Sequence, residues 1–229
     1  QNVPEDRESF GVCDEIVEIE RHWNQEILRK SGIATTCQSM VKTIFRFAQI
    51  GRHKEPSLIL CEGNLDVADF VQLIKNDRPG PTQFIDGSKY GDDSGRFQND
   101  LFRRNGHTVS LLESGVICIE RIDRLSMQEQ NSLVATIDHL GREHPNVKLV
   151  ATAAPDFDDR FNAGEIEPRL YWRLLNPTKI PPLRDRRGDI DLHVERYRNQ
   201  ILLQTGLTRT FPERTIWEMS NFSWPLNFA

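Results

Sequence analysis

Two rhythms of hydrophobic positions run along this chain, one at three- and four-residue spacing and one unbroken. The first is plain in residues 12–30, where Val12, Ile16, Ile19, Trp23, Ile27 and Leu28 stand among charges and predict an amphipathic linker or docking helix. It returns over 38–50 with Met40, Val41, Ile44, Phe45, Phe47 and Ala48, and Gly51 is placed as a C-cap. The unbroken kind begins at Ser57-Leu58-Ile59-Leu60-Cys61, a buried strand bounded by Pro56 and by Glu62-Gly63-Asn64. Residues 65–75 read as helix, Gln83-Phe84-Ile85-Asp86 as a weaker strand, 91–95 as an acidic turn, and Phe97 to Arg104 as a short helix. Val116 to Glu120 is a second buried strand, Ser126 to Gly141 a helix ending on glycine, and Lys148 to Thr152 a third strand. A short helix over 165–175 leads to the stop at Pro181-Pro182; beyond it come the basic cluster Arg184-Asp185-Arg186-Arg187 and helices over 189–204 and 211–222.

Strands alternating with helices at this spacing predict an α/β fold, a parallel sheet covered on both faces. Three parts are expected: a linker or docking helix over 1–32, an α/β subdomain over 33–183, and the start of a small helical lid over 184–229. Lys+Arg 29 against Asp+Glu 34 leaves a net charge of −5, which argues against a surface given over entirely to a polyanion, though not against a local basic patch. No apolar run approaches the roughly 20 residues that a bilayer requires, so no membrane span is expected. Cys13, Cys37, Cys61 and Cys118 lie far apart and outside any metal-ligand spacing, which suggests reduced thiols in a cytoplasmic protein and no metal site. The first residues lack the pattern of a secretory signal, and the abrupt apolar ending suggests a piece cut from a longer protein. The histidines are scattered and give no nucleophilic constellation.

Four stretches in fixed order resemble the AAA+ domain of bacterial enhancer-binding proteins, the NtrC-like activators that depend on sigma-54. Arg169-Leu170-Tyr171-Trp172-Arg173-Leu174, with Ile180-Pro181-Pro182-Leu183-Arg184-Asp185-Arg186 and Gly188-Asp189-Ile190, is similar to the family signature DLYYRL…LPPLRER..DI. Leu149 to Ala153 resembles the sensor I strand, Gly115 to Ile122 the Walker B strand, and Trp224-Pro225-Leu226-Asn227 the WPGN of the lid. The resemblance covers about Ile33 to Ala229. It implies a P-loop NTPase fold, a homo-oligomer, and a parent protein that binds DNA through a C-terminal helix-turn-helix outside this chain. RNA polymerase or a regulatory protein would be its further partner.

The departures bear on chemistry. A phosphate loop needs glycines so that backbone N–H groups can reach phosphate, a lysine for charge, and a hydroxyl for magnesium. Where the family has G-E-S-G-T-G-K-E, this chain has Cys61-Glu62-Gly63-Asn64-Leu65-Asp66-Val67-Ala68, keeping Glu62 alone in place. By the same resemblance Glu120 stands for the metal-holding aspartate and Arg121 for the carboxylate that orients water, and arginine cannot act as a base. Thr152 and Ala153 lie at sensor I, with Ala153 replacing its asparagine. Glu167 replaces the first trans-acting arginine, while the second survives as Arg173. Only Arg103 to Ser110 occupies the place of the sigma-contacting loop, without its GAFTGA hexapeptide.

Plainer readings exist for each feature. Residues 61–68 can be an ordinary turn with Asp66 as helix cap, Glu120 and Arg121 a surface ion-pair network with Asp123 and Arg124, and Arg173, Arg184, Arg186 and Arg187 a solvated charged face. The expectation is a non-enzymatic AAA+-like scaffold in a transcription regulator, with no cofactor required. The rival is a sensor using Arg121 and Arg173 to hold a cyclic dinucleotide such as c-di-GMP. The third reading, an active ATPase binding ATP or ADP, needs phosphate binding without the lysine.

Overall fold

The structure is a computed structural model that describes residue 33 and residues 35–65, 67–76, 79–90, 97, 113–207 and 210–227. Its five strands are β1 (Ser57–Leu60), β2 (Thr82–Asp86), β3 (Gly115–Glu120), β4 (Val147–Ala153) and β5 (Thr178–Lys179). They form one parallel sheet in the order β2-β3-β4-β1-β5. Seven helices are described: α1 (Gln38–Ile50), α2 (Val67–Asn76), α3 (Met127–Glu143), α4 (Phe157–Asn162), α5 (Pro168–Arg173), α6 (Ile190–Thr205) and α7 (Glu213–Asn221). The α/β expectation is met.

Successive strand residues face opposite sides, and the alternation divides the core in two. Ile59, Val116, Cys118 and Val150 join Met40, Ile44 and Phe47 of α1 and Phe70 and Ile74 of α2. Leu58, Leu60, Ile117, Ile119 and Leu149 join Leu133, Ile137 and Leu140 of α3, Phe157 of α4 and Leu170 of α5. Both faces are therefore apolar, which is why the central strands read as unbroken hydrophobic runs. The register sets Cys118 of β3 against Val150 of β4, and Leu58 of β1 against Ala151, so the C-terminal ends of β1, β3 and β4 come level at one edge.

Local chemistry fixes the helix ends. At α3 the Ser126 hydroxyl accepts the Glu129 N–H at 3.3 Å, and the Glu129 carboxylate accepts the Ser126 N–H at 3.1 Å, a reciprocal capping box. The expected stop at Gly141 is corrected: α3 runs through it to Glu143, because a side chain there would meet only open space and nothing forces a left-handed turn. Gly51 likewise follows α1 in right-handed conformation, with φ −56°. The helix expected over 165–175 shortens to α5, with Pro168 in its first turn and the Glu167 carboxylate accepting the Leu170 N–H at 2.9 Å. Strand β5 was not anticipated, being two residues long. The stripe over 12–30, Asp66, and the short helix over 97–104 apart from buried Phe97 lie outside the described residues.

Several charged residues are buried, which the sequence did not show. Lys148, on β4, is fully buried and donates to the carbonyl oxygens of His53 (3.1 Å) and Glu55. Asp189, preceding α6, is fully buried and accepts from Thr35 Oγ1 and the Thr36 N–H, both at 2.7 Å. Arg186 is 4 % exposed, with Nη1 4.0 Å from Asp189, so the basic cluster is not a uniformly solvated face. Among the described residues no helix is long and apolar enough to cross a membrane.

Candidate functional site

A pocket of about 590 Å³ opens where β1, β3 and β4 end. The crevice beyond the carboxyl ends of the strands is where open parallel sheets place ligands. Cys61, Glu62, Gly63, Asn64, Val67, Glu120, Arg121 and Thr152 all line it, so the topology gathers every described residue assigned to the pocket from sequence. Ser88, Asp123, Arg124, Leu65, Ala153 and Ala154 complete the lining.

The loop after β1 is an ordinary tight turn, with Asn64 at φ 58° in the left-handed conformation that asparagine tolerates. Cys61 is buried, its N–H donates to the Ala153 carbonyl at 3.0 Å, and burial pushes its thiol up to about 12, so it stays protonated. Val67, at the start of α2, presents a 7 % exposed apolar side chain where a phosphate loop would present lysine. Among the described residues no lysine lines the pocket.

At the end of β3 the backbone turns sharply. Arg121 has φ 55° and ψ 51°, a conformation costing a non-glycine residue about 1–2 kcal/mol. Its N–H donates to Thr152 Oγ1 at 3.0 Å, and its guanidinium lies 3.4 Å from Asp86 Oδ2. Asp86 feels burial, which raises it, but Ser88 and Arg121 together hold its carboxyl below the usual range. Glu120, half-buried between them, moves the other way: burial, and then the neighbouring Asp86, push its carboxyl up. The main chain is closely packed here, since a Cβ on Gly87 would come within 2.7 Å of the Glu120 carbonyl and 2.8 Å of the Arg121 carbonyl. Asp123 is buried, receives Arg160 Nη1 at 2.9 Å, and lies 3.5 Å from Arg124 Nε. Of the expected ion-pair network only Asp123 with Arg124 forms as read: Arg121 pairs with Asp86, and Asp123 is buried and also pairs with Arg160, partners that sequence spacing did not reveal.

Glu62, which lines the pocket, is already paired. Arg184, in the turn Leu183–Asp185, grips its carboxylate with both terminal nitrogens, Nη1 at 2.7 Å and Nη2 closer still, and this pairing holds the carboxyl below the usual range. Arg184 is partly exposed and is paired within the chain. Arg173, at the end of α5, pairs with Asp138 of α3 at 2.6 Å and does not line the pocket. Within one chain Arg121 lines the pocket and Arg173 does not. Sequence reasoning missed Asn227, which is 1 % exposed and touches the loop after β1 through Glu62 and Gly63. Its signal was present in the WPLN segment. Among the described residues no group of three His, Cys, Asp or Glu side chains could hold a metal ion.

Comparison with known proteins agrees with this geometry at the level of fold. No protein-family model matches the chain. The Nif-specific regulatory protein of Rhizobium leguminosarum bv. trifolii is 23% identical over 210 residues, 82% of this chain and 59% of that protein. The transcriptional regulator NtrC of Rhizobium meliloti is 26% identical over 156 residues, 64% of this chain and 32% of its own length. The Psp operon transcriptional activator of Escherichia coli is 27% identical over 222 residues, 86% of this chain and 68% of that protein. The chain thus spans from about a third to about two thirds of these relatives' lengths. Among solved structures, NtrX from Brucella abortus in complex with ADP superposes with TM-score 0.73 at 17% identity, over 93% of this chain and 53% of NtrX. The chain has the AAA+ P-loop NTPase fold, shared with NtrX, and is similar in sequence to Nif-specific, NtrC and Psp operon transcription regulators.

Proposed function

We propose that this chain is the AAA+ domain of a bacterial transcription regulator that keeps the fold without the ATPase, and serves as an oligomerisation and protein-contact scaffold without remodelling sigma-54 polymerase. The observation that carries the reading is the charge of the pocket. Of the described residues lining it, Glu62 is paired with Arg184, Asp123 with Arg160 and Arg124, and Arg121 with Asp86, so its arginines already have carboxylate partners. A triphosphate entering this site meets Glu120, arginines already paired with carboxylates and an apolar Val67, with no lysine among the described lining residues to offset its charge. Hydrolysis fares no better, because the position that would orient water carries a permanently protonated guanidinium. Brucella NtrX was solved with ADP and with ATP, so the fold itself accepts adenine nucleotides, and the side chains make the difference.

Arg173 stands exposed enough at the end of α5 to reach a neighbour, which supports self-association. DNA binding through a helix-turn-helix elsewhere in the parent protein, contact with RNA polymerase or a regulatory protein, and a cytoplasmic location complete the reading by analogy with the relatives. Isothermal titration with ATP, ADP and cyclic di-GMP in the presence of magnesium tests it. Flat titrations with ATP and ADP are expected. Micromolar binding of either overturns the reading, and cyclic di-GMP binding alone replaces it with a sensor.

A further inference from the structure

We infer that Glu62, Arg184 and Asn227 form a latch that fixes the C-terminal helices on the α/β layer without a bound nucleotide. The inference rests on the nucleotide-independent reading above and adds a mechanism to it. Pro181 and Pro182 join the sheet to everything that follows, and α6 and α7 bring little apolar surface to the junction: Ile190 is buried in α6, and no residue of α7 is. Beside the buried Ile180, Leu183 and Ile190, polar contacts therefore carry much of the junction.

Asp189 accepts from Thr35 and Thr36, Arg196 of α6 lies 3.5 Å from Asp69 of α2, and a third set of contacts meets at two residues of the loop after β1, the set that joins both ends of the C-terminal part. Arg184 holds Glu62 from the start of the C-terminal part, in the bidentate geometry that fixes direction as well as distance. Asn227 reaches the same carboxylate from its far end, with Nδ2 3.3 Å from Glu62 Oε2 and 3.1 Å from the Gly63 carbonyl. The Asn227 Oδ1 accepts the Leu183 N–H at 2.9 Å, closing a ring through both ends of the C-terminal part. Asn227 adopts φ 54° and is buried, so its side chain is held where all three bonds can form at once. Swinging α6 and α7 about Pro181-Pro182 breaks the fork and the amide bonds together. The loop that cradles phosphate in a nucleotide-binding P-loop serves here as the strut for the helices.

Hydrogen exchange of the full chain tests this with Glu62→Gln, Arg184→Gln and the double variant, each with and without ATP and magnesium. Each single substitution is expected to speed exchange of α6 and α7 amides about tenfold, the scale of a lost charge-assisted hydrogen bond, while β3 and β4 keep their protection. The double variant is expected to exchange no faster than either single one, because both remove the same pair. Unchanged α6 and α7 exchange in the single variants overturns the latch, as do single effects that multiply in the double. A change in wild-type exchange on adding ATP instead overturns the nucleotide-independent reading, and the variants still decide the latch.

Discussion

Helix α1 presses Met40, Ile44 and Phe47 into the sheet with none of their surface left in water, whereas α6 buries Ile190 alone and α7 buries nothing. The first region is held by area removed from water, at about 1.5–3 kcal/mol for each large side chain. The second is held by directional bonds: Thr35 and Thr36 to Asp189, Arg184 and Asn227 to Glu62. Apolar burial tolerates small shifts in angle, while a forked ion pair does not. One chain thus uses burial to build its sheet and polar contacts to aim what hangs from it.

The contrast breaks first at Phe47, which packs against Phe70 with ring centroids 4.8 Å apart. Phe47→Ala is expected to cost about 3–5 kcal/mol in urea unfolding, read from the sheet. A loss below about 1 kcal/mol would mean that α1 is not the anchor described here. Next comes Asp189→Ala, which strips the Thr35 and Thr36 bonds and the buried Arg186 of their common partner. About 2–3 kcal/mol is expected, with protection lost at α6 before β3 or β4. Simultaneous loss across the whole molecule would show that the two regions are one cooperative unit.

The smallest effect sharpens the picture within the pocket. Glu120 has its folded carboxyl pushed up by burial and then by Asp86, so its contribution to stability is full below the unfolded pKa and is lost as pH rises through the folded one. Glu120→Gln removes that loss and should stabilise the protein near neutral pH by under about 1 kcal/mol. Glu62 works in the opposite sense: Arg184 holds its folded carboxyl low, so its contribution is present above the unfolded pKa and disappears as pH falls through the folded one. Thermal unfolding of the Glu120 and Glu62 glutamine variants across the acid range should therefore give curves that diverge from wild type in opposite directions. Parallel curves would show that neither carboxyl senses its surroundings.

The central strands were legible because burial on both faces leaves no polar position to interrupt them, as in Val116 to Glu120. The two-residue β5 was not, since pairing at Ile59 and Leu60 of β1 defines it and no run of its own does. The stop at Gly141 was misplaced because a glycine in open space carries no conformational demand. Within the pocket, the residues after β1, β3 and β4 were found from their positions in recognisable stretches. The partners were not: Asp86 for Arg121, Arg160 for Asp123 and Arg184 for Glu62 come from distant segments that only the fold makes adjacent.

By itself the sequence determined the α/β layering, the short strands and the replacement of lysine and glycine at the loop after β1, because hydrophobic period and residue chemistry are local properties. Only the tertiary structure decided that Arg173 stands apart from the pocket, that Arg184 is paired with Glu62, and that Asn227 joins both ends of the C-terminal helices to that loop. Charges act over ångströms in space, and the distance along the chain from Glu62 to Asn227 leaves no trace in spacing or period.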